Sequence, residues 1–202
     1  GLLVLAGVFA FGVVLARRLL EAPVEWNPML RRYAVVAAAM LSWAALTTPA
    51  WVAAPTASEA LFGAPSAASL LLVGVVGFVV LGTLYHVVPF IVWVHRYSDL
   101  LGLADVPMID DLYDARLAKL DFAAVLSGTA LLVVGEAFSL GSGVAVLGGS
   151  LSLAGFVVFV ANVASVIRRH SPESVLRTRL SDSGRPSRPR RDDDEASRDS
   201  AE

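Results

Sequence analysis

Long uncharged apolar blocks alternate with short polar segments along most of this chain. A helix rises about 1.5 Å per residue, so about 20 apolar residues cross the hydrocarbon core of a bilayer. Five blocks reach or approach that length, at residues 2–16, 33–53, 66–94, 122–138 and 143–167. The pattern predicts an all-α, polytopic transmembrane helix bundle of five spans over residues 1–169. The third block carries no charge until Arg96 and exceeds a straight crossing, so it is expected to tilt, kink or protrude.

The charges orient these spans. Before residue 170 the basic residues are Arg17, Arg18, Arg31, Arg32, Arg96, Arg116, Lys119, Arg168 and Arg169, all on alternate connections. Residues 55–65 and 139–142, on the opposite side, carry none. The positive-inside rule makes the basic side cytoplasmic and predicts a multi-pass protein of the plasma membrane. Trp26, Tyr33, Trp51, Trp93 and Tyr97 fall near span ends, where amphipathic aromatics anchor to headgroups.

Two segments depart from this pattern. In the connection 98–121, Met108, Leu112, Ala115 and Leu120 share a face, which predicts a short interfacial helix capped by Asp110 or Asp111. From residue 170 to 202 the chain turns rich in Ser, Pro, Arg and Asp, and a disordered cytoplasmic tail is expected.

Composition agrees with a bilayer environment. The chain is 56% hydrophobic, with a mean hydropathy of +0.67, against 45–50% apolar residues in soluble domains. There is no cysteine, which excludes disulfides, thiolate metal sites and cysteine nucleophiles. Acidic residues balance the tail arginines, so no nucleic-acid partner is expected. Gly1 already lies in an apolar run without a basic leader, so the chain reads as the C-terminal part of a longer protein. Its expected partners are the lipid bilayer, the N-terminal half of the same protein, and other membrane subunits.

The candidate chemistry centres on His86, which stands about 15 Å from Arg96 along the third span and so near the bilayer midplane. An ionisable side chain at that depth marks a candidate site. Gly82, one turn back, leaves space over the imidazole, and Pro89 bends the helix beside it. Imidazole in that setting can ligate a haem iron or relay a proton, and it can equally be a packed histidine bonded to a neighbouring helix. His95 is out of phase with His86, and His170 heads the tail. Glu136 lies near the outer end of the fourth span, as a carboxylate at the interface or on an ion path. Thr47, Thr48 and Pro49 suggest a local kink, and Gly74, Gly77, Gly82, Gly148, Gly149 and Gly155 suggest close helix approach.

Over residues 74–89, GVVGFVVLGTLYHVVP, the chain resembles a helix of haem–copper oxidase subunit I-like membrane proteins. Gly74, Gly77, Gly82, Leu84, Tyr85, His86 and Pro89 carry that likeness, which extends across residues 70–112. The resemblance implies a haem cofactor and a link to respiratory electron transfer or its assembly, with His86, Gly82 and Tyr85 as cofactor-site candidates. Ala67 and Ser69 stand where the family pattern has two histidines, so oxygen or nitric oxide reduction by this stretch is not expected. A rival reading is a non-catalytic scaffold or proton-coupled transporter, in which His86 packs or relays protons.

Overall fold

The computed structural model describes residues 1–21, 23, 26–54, 62–64, 67–98, 101 and 106–170. Among these, five helices are long and apolar enough to cross a membrane. They are α1 (Leu2–Glu21), α2 (Pro28–Ala53), α3 (Leu70–Tyr97), α4 (Ala115–Ala137) and α5 (Ser142–His170). The tail expected after residue 170 lies outside the described residues.

Local chemistry sets the helix starts. Asn27 caps α2, its side-chain oxygen accepting from the Leu30 amide at 2.9 Å, and Pro28 occupies the first helical position. Asp114 caps α4 by accepting from the amides of Arg116 (2.7 Å) and Leu117 (3.3 Å). That cap starts α4 at Ala115, seven residues before the apolar block, and Asp121 therefore lies inside the helix. The expected interfacial helix is replaced by a single 3-10 turn, Ile109–Asp111, followed directly by the first turns of α4. Within α3, residues Leu70–Gly77 form a π-helix and Phe78–Tyr97 an α-helix containing Pro89.

Helix α2 packs against α1 on one side and α3 on the other, α3 meets α5, and α4 pairs with α5. The α4–α5 contact is the most intimate because small residues face each other. A Cβ on Gly128 would lie 2.6 Å from the Gly148 carbonyl oxygen, and one on Gly155 would lie 2.9 Å from the Val125 amide nitrogen. Gly149 has open space around it. Helix α1 buries only Gly12, which sits against Met40 and Leu41 of α2.

Two apolar clusters fill the interior. The larger joins Phe78, Leu81 and Tyr85 of α3 to Val36, Val125, Phe159 and Val166. A smaller one toward the ends opposite the basic residues gathers Trp43, Ala44, Trp51, Ala64 and Ala67. There Gly63 adopts a left-handed φ of 102°, and the neighbouring Ala64 amide donates to Thr47 Oγ1 at 3.2 Å. Thr48 Oγ1 donates to the Ala44 carbonyl at 2.7 Å, one residue before Pro49, which lies inside α2.

Candidate functional site

Between α2, α3, α4 and α5 lies a buried polar cluster, about one to three turns inside the basic helix ends. Arg32 forms an ion pair with Asp121, and both side chains are almost completely buried. The guanidinium also donates to the carbonyls of Pro28 (2.9 Å) and Ala118 (3.0 Å), while its Nε has no hydrogen-bond partner. Arg32 lies 4.3 Å from the centroid of the Tyr85 ring, a cation–π contact in a dry setting. The Tyr85 hydroxyl donates to the second Asp121 oxygen.

Asn162 completes the cluster and ties it to the 106–114 connection. Its Nδ2 donates to the Tyr85 hydroxyl at 3.0 Å and to the Asp114 carbonyl at 2.9 Å. Its Oδ1 accepts from the Asp114 amide at 3.1 Å. The residue that caps α4 is thus clamped to α5. Nearby, Trp93 Nε1 donates to the Pro107 carbonyl at 2.8 Å, and the Tyr113 hydroxyl donates to Asp110 at 3.1 Å. Burial, aided by the Asp110 carboxylate, pushes the Tyr113 phenol above its ordinary value.

Outward of the cluster, Phe78, Leu81 and Val125 are buried and apolar, and Phe78 meets Phe122 edge-on at 6.0 Å. The polar groups therefore end against packed hydrocarbon. A charge pair held this way links helices and offers no described route onward through the bundle.

The three cofactor-site candidates occupy different places. Tyr85 points into the polar cluster. Gly82 is buried against α2, where an added Cβ would meet Arg32 Cβ and the Tyr33 ring, each at 3.3 Å. The space it opens is taken by α2. His86, one turn beyond Gly82, is exposed at the edge of that buried face, its ring stacked on Phe90 at 6.2 Å and 13°. No hydrogen-bond partner engages its ring nitrogens among the described residues. The imidazole is thus presented outward, about 16 Å from Tyr97 along the helix.

Ala67 is fully buried in the tryptophan cluster, and Ser69 Oγ donates to Glu136 Oε2 at 3.0 Å. Both positions are filled by packing, so a haem does not fit between them. On the exposed side of α3 a single imidazole without a hydrogen-bond partner is flanked by exposed Val87 and Phe90, the one described histidine near mid-span that could hold a haem iron. His95 is exposed, with Nδ1 donating to the Ile91 carbonyl at 2.9 Å. Among the described residues no three His, Asp or Glu side chains gather as a metal-ion donor set.

The sequence reading placed Arg32 among the topological charges and Asp121 at the end of a connection, and did not single out Asn162. The available signal was local: Asp121 follows Leu120 and precedes a continuous apolar block. No protein-family model, curated protein or solved structure matches this chain.

Proposed function

We propose that this chain is a membrane-embedded helical framework of the haem–copper oxidase subunit I type, linked to respiratory electron transfer or its assembly. In this reading α3 presents His86 to a haem seated against its outer face. The observation that carries it is the outward imidazole near mid-depth with both ring nitrogens unengaged. Hydrocarbon cannot hydrogen-bond an imidazole, so such a residue calls for a covering group that can.

When bound, haem supplies one-electron redox chemistry. His86 would hold the iron from one side, and Phe90, stacked on the ring, would fix the imidazole plane. Val87 would add apolar wall and exclude water. Tyr85, the preceding residue, bonded on the buried face of α3, would hold that helix against rotation. Any further ligand to the haem would come from outside the described residues. The basic ends would face the cytoplasm in a plasma-membrane protein.

A second reading, a non-catalytic scaffold, is favoured by one observation: the polar cluster ends against Phe78, Leu81 and Val125. Quantifying haem extracted from purified protein and from His86→Ala separates the two. Stoichiometric haem lost in the variant supports the cofactor reading; no haem from folded protein supplied with it supports the scaffold.

A further inference from the structure

We propose that the outer face of α5 binds an anionic phospholipid, an acyl chain lying in its groove and the phosphate held by Arg168 and Arg169. The groove is lined by Leu153, Val157, Val160 and Ala161 and closed at one end by the two arginines. Its axial run from Leu153 to Arg168 is about 22 Å. One leaflet contributes about 15 Å of hydrocarbon, or about ten residues of helix, so a chain whose phosphate sits at the arginines covers the groove as far as about Val157.

Charge complementarity selects the headgroup. Both arginines are exposed, and neither has an ion-pair partner among the described residues. The described acids at the same end of the bundle are already engaged. Glu21 pairs with Arg17, Asp121 with Arg32, and Asp114 caps α4. Asp110 accepts from Tyr113, and Asp111 from the Met108 amide. Two guanidiniums without an ion-pair partner among the described residues, placed at the headgroup layer, favour a lipid with net negative charge over a zwitterionic one.

The test uses the whole protein in nanodiscs of mixed phosphatidylglycerol and phosphatidylcholine, with retained lipids counted by native mass spectrometry after extraction. The protein should retain phosphatidylglycerol in preference. Each arginine near an anionic surface contributes about a fivefold preference, so Arg168→Gln with Arg169→Gln should reduce the enrichment by at least about tenfold. The Arg168→Lys, Arg169→Lys pair keeps the charge and should keep most of it. Ala161→Phe, which fills the groove and leaves the charges, should abolish retention. Equal retention of the two lipids by the unmodified protein overturns the proposal. So does full retention by Ala161→Phe, which would reduce the effect to surface charge alone.

Discussion

Arg32, one turn into α2, and Asp121, two turns into α4, form an ion pair with side-chain exposures of 1% and 0%. Eighty-nine residues separate them in the chain. Through Tyr85 and Asn162 the pair reaches α3 and α5, so four helices share one set of hydrogen bonds. A half-broken version of such a cluster leaves a charge buried without its partner.

Removing one member should therefore cost more than removing both. Asp121→Asn or Arg32→Met alone is expected to destabilise the bundle by about 3–5 kcal/mol, whereas Arg32→Met with Asp121→Leu should recover much of that loss. Denaturant unfolding in detergent, followed by tryptophan fluorescence, measures the cycle. Equal, additive losses would show that the two residues are not coupled.

The Tyr113 phenol predicts a pH effect. Burial and Asp110 raise its ionisation above the ordinary value near 10. The unfolded chain then releases the proton at lower pH than the folded one. The neutral phenol's contribution to stability is complete below about pH 10 and falls as pH rises toward the higher folded-state value. Tyr113→Phe should flatten that alkaline fall, as read from thermal midpoints between pH 8 and 11. An unchanged fall would place its origin in other groups.

The α4–α5 seam predicts a sharp contrast among glycines. A Cβ on Gly128 or Gly155 would press against backbone of the facing helix, whereas one on Gly149 would meet nothing within 4 Å. Gly128→Ala and Gly155→Ala should each destabilise by about 1–3 kcal/mol, and Gly149→Ala should be neutral or slightly stabilising. Thermal unfolding of the three variants checks the order.

Hydropathy made the five helices legible because each crossing must satisfy its backbone internally and cover itself with apolar side chains. It misplaced the start of α4, because the Asp114 cap and the clamp from Asn162 tolerate a charged first two turns. The close-approach reading succeeded at Gly148 and Gly155 and not at Gly149, since residue type does not say which face meets a neighbour. Gly82 teaches the same lesson from the other direction. It lies one turn from His86 in sequence, yet its open side faces Arg32 and Tyr33 of α2. The polar cluster was hidden for a related reason: Arg32, Tyr85, Asp121 and Asn162 converge only once four helices are packed.

Haem binding turns on the outward imidazole of His86. The most direct measurement is the reduced-minus-oxidised absorbance spectrum of the purified protein in detergent, compared with that of His86→Ala. His86 is exposed and bonded to no described residue, so its removal should leave the fold within about 0.5 kcal/mol. A haem difference spectrum is expected from the unmodified protein, and its loss or displacement in an equally stable variant. An identical haem spectrum from His86→Ala, or no haem signal from folded protein expressed with ample haem, would contradict haem binding at His86.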